Sequence, residues 1–282
     1  MASPPRGIET TLNFKKAASF AEASGGTNWR KWPYYTEGFR SGNNVTNDPE
    51  IGGSRYNLGD PTQGIKTRPS PAGALDIAAD VNLLGELFRL MMGDPVTEDE
   101  DDPVFEHVFE SGKDEVGLGH FEFGFGTDLY KIADAFTVSQ MTIDLSDTDG
   151  YRRVQAQLMG RSVRFPVPAL AVTPAAAHPR VKLLGTVGKL QIGPNVGALV
   201  DLGNVLGGQW TISNGAYTEN YLDDTPWAGA VIPGEWMSSL TPEIRFKRDQ
   251  LSLLESFDGE TPFVARLIFQ KSADQLLQID FG

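Results

Sequence analysis

The sequence has no cysteine and only three histidines, and both shortages limit its chemistry. Without cysteine there are no disulfides, no thiolate-bound zinc and no thiol nucleophile. His107 and His120 each fall in a strand-like segment, which favours structural histidines over an active site, and His178 stands alone in a Pro/Ala-rich stretch. Carboxylates are abundant enough for two to meet in space, but no spacing marks a catalytic pair. We therefore expect no enzyme, no metal and no cofactor.

The usual nucleotide and calcium motifs are missing as well. Gly117-Leu-Gly119 and Gly124-Phe-Gly126 are fragments of a dinucleotide fingerprint, but Glu122 stands where its third glycine would fall. The stretch 147–150 resembles half of a calcium loop, yet Leu145 occupies the first ligand position, so a hairpin turn explains it better.

Basic residues are in short supply. With 24 Lys and Arg against 37 Asp and Glu, the net charge is −13, which argues against recruitment to nucleic acid by charge. Residues 1–70 carry nine basic and six acidic groups, residues 71–150 three and nineteen, and residues 151–282 twelve of each. The negative charge is therefore concentrated in the middle of the chain. Its acidic run, residues 98–102, is either a solvated loop or an acidic surface that meets a weakly basic arm of a neighbouring subunit.

No segment has the features of a membrane span or a targeting signal. The most hydrophobic window, residues 81–92, contains Glu86 and Arg89 and is too short to cross a bilayer. The N-terminus lacks the apolar core of a signal peptide. We expect a soluble protein with no membrane segment.

The first seventy residues have the composition of an arm with a long loop. An aromatic cluster (Trp29, Trp32, Tyr34 and Tyr35) precedes a polar run from residue 41 to 71 that is rich in Gly, Asn, Asp and Pro. Such aromatic clusters are more often core or interface anchors than binding platforms. A long structureless run is typically functional or disordered. We expect an unstructured arm that becomes ordered on assembly.

One helix is strongly predicted, over residues 81–92. A strand at residues 74–79 leads to Asp80, whose carboxylate can cap the first helical turn. Apolar residues then recur at 3.6-residue spacing, and Gly93 and Pro95 end the pattern.

Elsewhere the apolar period is two, which predicts antiparallel strands. Phe121, Phe123 and Phe125 alternate with less apolar residues, and strands near 140–145 and 154–158 form a hairpin. The predicted first β-rich half is residues 71–165, a Pro/Ala-rich connector covers 166–179, and a second β-rich half covers 180–282. Further predicted strands lie at 181–183, 190–192, 210–212, 244–246, 266–269 and 277–281, with a second short helix at 249–257.

The order of these features resembles the tail tube protein family of long-tailed (siphovirus-like) bacteriophages, over residues 38–282. The resemblance is carried by soft motifs that share order and spacing more than identity. They are Asp-Pro-Glu-Ile-Gly-Gly-Ser-Arg at 48–55, the helix end Leu-Met-Met-Gly-Asp-Pro at 90–95, His-Val-Phe at 107–109, Phe-Glu-Phe-Gly-Phe-Gly at 121–126, Tyr-Lys-Ile at 130–132, Met-Thr-Ile at 141–143, Leu-Met-Gly at 158–160, Trp-Thr-Ile-Ser-Asn-Gly at 210–215 with Tyr217, Leu-Thr-Pro-Glu-Ile-Arg-Phe at 240–246 and the closing stretch 263–281.

This resemblance implies a fold and an assembly. The fold is a mainly β, antiparallel β-sandwich or barrel of the tail tube type, with one flanking short helix and long loops, forming one unit overall. Its subunits form rings, usually hexameric, that stack into a hollow tube for DNA passage.

The resemblance also implies particular contacts. The family's inter-ring loop matches residues 42–68 by position, so the site residues it points to are Asp48, Glu50, Arg55 and Arg68. The partners are further copies of the chain, other tail proteins such as the tip and terminator, and genomic DNA that passes without specific binding. The protein is then a structural virion protein of the tail, assembled in the host cytoplasm.

Three other functions stay open at this stage. A tail-tip or baseplate ring protein of the same fold would make one ring and not polymerise. A carbohydrate-binding β-sandwich could stack sugars on tryptophans, and a hydrolase could use a carboxylate pair. The tryptophans concerned are Trp29, Trp32, Trp210, Trp227 and Trp236.

Overall fold

Antiparallel strands make up most of the fold, as the sequence predicts. The computed structural model describes residues 10–43, 45–46, 65–101, 104–146, 149–203, 205–221, 227–245, 264–272 and 275–281. Those residues contain one α-helix, α1 (Val81–Met92), one 3₁₀ turn (Val196–Ala198) and twenty strands. The strands are β1 (Thr10–Ala17), β2 (Arg30–Lys31), β3 (Thr36–Glu37), β4 (Val45–Thr46), β5 (Ile65–Lys66), β6 (Ala72–Ala78), β7 (Val96–Asp101), β8 (Val104–Val108), β9 (Leu118–Phe125), β10 (Leu129–Asp144), β11 (Arg153–Met159), β12 (Ser162–Val167), β13 (Lys189–Gly193), β14 (Val200–Asp201), β15 (Val205–Ser213), β16 (Tyr217–Glu219), β17 (Ala230–Ile232), β18 (Met237–Ile244), β19 (Val264–Ser272) and β20 (Gln275–Phe281).

The long strand β10 organises the larger sheet. Within the described residues that sheet has ten strands, in the order β2-β1-β9-β10-β11-β6-β3, with β12 and β15 also paired to β10 and with β18 paired to β15. The predicted hairpin is confirmed as β10 and β11, where Met141 lies opposite Ala156 and Ile143 opposite Val154. The first part of β10 pairs with β9 and β12, whereas the second part pairs with β11 and β15. β10 therefore joins two parts of the sheet that have different strands as neighbours.

A bulge in β10 makes this change of partner possible. The pairing with β9 shifts register between Ala133 and Phe136, and Ala135 has a φ of 51°, in the left-handed region. An extra residue in one strand bends it, as at the corners of folded sheets. The left-handed conformation costs an alanine about 1–2 kcal/mol. The Ala135 amide is nevertheless satisfied, because it donates to His120 Nδ1 at 3.2 Å.

The helix forms with the predicted bounds. Asp80 accepts a hydrogen bond from the Asn82 amide at 3.2 Å, and the Gly93 amide donates to the Arg89 carbonyl at 2.9 Å. Gly93 has a φ of 81°, which suits the glycine that ends the helix. The apolar face is buried against β10, and its buried members are Leu83, Leu84, Leu87, Phe88, Leu90, Met91 and Met92.

The second sheet shares the core of the first. Its described strands lie in the order β14-β13-β19-β20, which confirms the predicted strands at 190–192, 266–269 and 277–281. Buried side chains from both sheets and from α1 form one hydrophobic cluster, including Leu190, Ile192 and Leu267 from the second sheet. The mainly β antiparallel architecture is thus confirmed.

The expected arm is wrong for residues 10–43. All eight residues of β1 pair with β9 inside the larger sheet. Trp32 stacks on Phe14 with ring centroids 4.4 Å apart, and both rings contact Phe121. Trp29 is also buried, so the preference for core aromatics over a binding platform is confirmed for these two tryptophans. The strand at 10–17 was hard to predict because its apolar alternation is short and includes Lys15 and Lys16. Its apolar face is completed only by β9, which is distant in sequence.

The connector at 166–179 is held against this N-terminal segment. Gly26 bridges Ala171 and Arg30 bridges Ala175. The Glu122 carboxylate accepts hydrogen bonds from the amides of Leu170 and Ala171, at 2.6 and 2.9 Å. This stretch is therefore fixed by specific hydrogen bonds along its length.

Three further local predictions differ from the structure. The segment 181–183 makes isolated bridges instead of a strand, because Lys182 pairs with Asp80 whereas Leu184 pairs with Tyr151, on different neighbours. The strand expected at 244–246 is β18, which ends at Ile244. Of the two interpretations of the acidic run 98–102, the solvated loop is wrong for residues 98–101, because they belong to β7, which pairs with β8. The helix expected at 249–257 and the turn residues 147 and 148 lie outside the described residues.

Candidate assembly surfaces

The stretch that resembles an inter-ring loop leaves the sheet at a tightly defined base. Arg40 and Ala72 exchange backbone hydrogen bonds of 2.9 and 3.1 Å, and the Ser70 amide donates to the Gly42 carbonyl at 3.0 Å. Gly42 has a φ of 59°, and a Cβ there would lie 1.9 Å from the Ser70 carbonyl oxygen. Glycine is therefore required at this position. Beyond it, β4 pairs with β5, so the chain returns along the path by which it left.

Of the four predicted site residues, Arg68 is the one that the structure describes. Asp48, Glu50 and Arg55 lie outside the described residues. Arg68 is half-buried, and its guanidinium donates to the Tyr221 carbonyl of its own chain. Tyr221 in turn donates its hydroxyl to Glu219 at 2.6 Å, and this hydrogen bond raises the pKa of the Tyr221 phenol. Arg68 thus connects the end of the stretch 42–68, called the excursion below, to the segment after β16.

Three strands of six or more residues in the two main sheets have an open edge in the described part of the chain. β12 pairs with β10 alone, β18 pairs with β15 alone, and β20 pairs with β19 alone. By contrast, the edge strands β2, β3 and β14 have two residues each. The β18 and β20 edges also carry exposed apolar side chains, namely Met237 and Leu276. An unpaired row of N–H and C=O groups is a template for another strand, which most monomeric proteins avoid.

A buried polar cluster at the corner of β10 is the strongest candidate for chemistry. Asp134 accepts hydrogen bonds from Ser162 Oγ at 2.8 Å and from Arg164 Nε at 2.9 Å, and Ser24 Oγ binds the same guanidinium at 3.0 Å. Burial raises the pKa of the Asp134 carboxyl, but the hydrogen bonds from Arg164 and Ser162 outweigh it and hold that pKa well below its usual value.

This cluster is structural. His120 is fully buried, so no substrate reaches its ring. Its Nδ1 accepts the bulge amide of Ala135, and the Asp134 carboxylate lies 3.6 Å from the same nitrogen. The residues together fix the corner of β10, which agrees with the structural role expected of His120. His107 is on exposed β8 and contacts Thr97 Oγ1 at 2.9 Å.

The tryptophans that could bind sugars are mostly in the interior. Trp29, Trp32 and Trp210 are buried, while Trp227 and Trp236 are half-buried. Stacking on a sugar needs an accessible ring face, so the buried three offer no platform.

The sequence matches no protein-family model and no curated protein. Across the described ranges there is no cluster of three His, Asp or Glu side chains that could hold a metal ion. Nor does that part of the chain contain a helix long and apolar enough to span a membrane.

The open edges are not evident from the sequence pattern, although the sequence of β18 contains a signal for one of them. The segment 237–244 alternates in exposure but contains Ser238, Ser239 and Pro242. Its low apolar content conceals a strand, and proline inside a strand is itself typical of an edge.

Proposed function

We propose that this protein is a structural subunit that assembles into stacked rings, expected to be hexameric, which form the tail tube of a long-tailed bacteriophage. The observation that carries the proposal is that each of the two main sheets has a long open edge, β18 on the larger sheet and β20 on the second. These edges lie on two different sheets of one subunit. Pairing of unlike surfaces between copies is heterologous, and it generates a ring when the rotation closes.

The distribution of charge supports a conduit for DNA. Residues 71–150 carry three basic and nineteen acidic groups, and the chain as a whole has a net charge of −13. A wall of negative charge repels phosphates, so a duplex can pass without being held. In this proposal DNA is cargo and is not specifically bound.

The excursion from the sheet supports stacking. Its base is fixed by Gly42, Ser70 and the pairing of β4 with β5, and it resembles the family's inter-ring loop by position. The segment that contains Asp48, Glu50 and Arg55 would contact the adjacent ring. Tip and terminator proteins of the tail would meet the two ends of the tube, and the assembled protein would reside in the virion tail.

Substitutions at the open edges test this function. Met237 is 62% exposed and Leu276 is 44% exposed, so Met237→Lys and Leu276→Lys should leave the fold intact while placing a charge on each edge. We expect the wild type to form rings and tubes by negative-stain electron microscopy, and each variant to stay a folded monomer by light scattering.

The matched control is Val172→Lys, which adds the same charge at a residue that is 57% exposed outside any strand. It should assemble as the wild type does. Edge variants that assemble normally would contradict the proposed role of β18 and β20. Single rings that never stack would favour a tail-tip or baseplate ring protein.

A further inference from the structure

The hairpin of β7 and β8 stands outside both main sheets. It pairs with itself alone in the described part of the chain. Every side chain that the structure describes within it is exposed, including Val96 at 54% and Phe105 at 56%. An isolated two-stranded ribbon with neither face covered is marginally stable in water. Exposed apolar side chains on such a ribbon mark a surface for a partner.

The hairpin is also the most acidic segment of the chain. Residues 96–108 contain six carboxylates and neither lysine nor arginine. The register sets Glu98 opposite Glu106, next to the pair Val96 and Val108. One face of the ribbon therefore carries both negative charge and exposed apolar side chains, and carboxylates directly opposite each other repel.

A cleft lined by basic and apolar side chains, which complements the acidic and apolar hairpin, lies elsewhere on the same chain. Its volume is about 410 Å³, and no lining residue is acidic. Lys182, whose Nζ lies 4.3 Å from the Tyr151 ring centroid, and Lys271 are at this cleft, and neither forms an ion pair within the described residues. Arg180 is also present but binds the Asp80 carboxylate at 2.9 Å. The apolar part of the lining is Tyr151, Leu183, Leu184, Val187 and Phe269.

The hairpin and the cleft lie at opposite ends of α1. The cleft is beside the helix N-terminus, where the Val81 amide donates to the Val181 carbonyl and the Leu183 amide donates to the Ala79 carbonyl. The hairpin begins just after the helix C-terminus, and Phe109 packs on Phe88 with ring centroids 5.7 Å apart. Twelve helical residues span about 18 Å. This separation favours contact between copies over contact within one chain.

We propose that the acidic hairpin of one copy docks in the basic cleft of a second copy. The inference rests on the proposed self-assembly and names one of its interfaces. Carboxylates of the hairpin would pair with Lys182 and Lys271, while its apolar side chains would cover Tyr151, Leu184 and Val187. Because the two surfaces differ, each copy offers one of each, and the contact propagates head to tail. Opposite charges set the register and suppress incorrect pairings.

Charge reversal tests this pairing on the full chain. The first variant is K182E/K271E and the second is E98K/E106K, and circular dichroism checks that both are folded. Sedimentation velocity at low salt should show an apparent dissociation constant at least about tenfold weaker for each variant alone. Lys31→Glu, at an exposed lysine on β2, is the control and should associate as the wild type does.

Mixing the two variants provides the decisive result. The acidic hairpin of the first variant then meets the basic cleft of the second. The hairpin of the second, which has lysines at positions 98 and 106, meets the acidic cleft of the first. We expect the equimolar mixture to recover association, and added salt to weaken it.

The outcomes separate this inference from the proposed function. A wild type that assembles alongside variants that assemble equally well would overturn the hairpin–cleft pairing and leave the tube proposal standing. Loss in both variants without recovery in the mixture would also overturn the pairing. A wild type that stays monomeric at every concentration would overturn both.

Discussion

At the scale of single residues, the corner of β10 shows how polar groups can shape a β fold. Ala135 takes a left-handed conformation, and its amide is satisfied by His120, whose ring is fully buried. Next to it, Asp134 is held by Ser162 and Arg164. A buried polar group without a partner costs free energy, so the hydrogen bonds to the Asp134 carboxylate and to the Ala135 amide stabilise this corner.

Asp134→Asn should destabilise the protein by about 1–3 kcal/mol, because it removes the charge from several buried hydrogen bonds. The pKa of Asp134 is lowered in the folded state, and in the unfolded chain it is about 3.9. The contribution of the carboxylate is therefore complete above about pH 5 and is lost as the pH falls below about 4, toward the folded-state pKa. Urea unfolding of both proteins between pH 7 and pH 2 measures this difference.

The control for this series is Asp144→Asn, at the exposed end of the same strand, which should change stability little at any pH. A difference between wild type and Asp134→Asn that stays constant down to pH 2 would contradict the assigned hydrogen bonds.

At the scale of elements, one substitution in α1 should raise the free energy of unfolding and another should lower it. Gly85 lies inside the helix, and a Cβ there would meet nothing within 4 Å. Gly85→Ala should thus raise the free energy of unfolding by about 0.5–1 kcal/mol. Leu87 is fully buried on the same helix, so Leu87→Ala should lower it by about 2–5 kcal/mol. Thermal unfolding of the two variants checks both signs, and a neutral Leu87→Ala would refute the burial of this face.

The elements that could be predicted are those whose signal is local. The helix has its cap, its apolar face and its terminating glycine within residues 80–95, so its bounds were predictable. The hairpin of β10 and β11 was predictable from alternation. β1 was not, because its pairing with β9 joins residues more than one hundred positions apart, and its two lysines obscure the apolar face. The cleft could not be predicted either, since Lys182 and Lys271 meet only through tertiary packing.

At the scale of the whole molecule, the excursion between β4 and β5 should matter for assembly and not for folding. Its base is closed by the Gly42–Ser70 and Arg40–Ala72 hydrogen bonds. Replacing residues 47–64 with a short glycine-rich turn should keep these bonds and leave the melting temperature nearly unchanged. Rings should still form, but stacking should fail, as electron microscopy would reveal. Normal tubes from this variant would contradict the assignment of the inter-ring loop and of Asp48, Glu50 and Arg55.

The central claim is that copies of this chain assemble into a hollow tube. The most direct measurement is electron microscopy of the purified wild-type protein over a range of concentrations, with cross-sections averaged to reveal any channel. We predict closed rings with an open centre that stack on a common axis. Particles that remain monomeric at every concentration, or solid fibres without a channel, would contradict it.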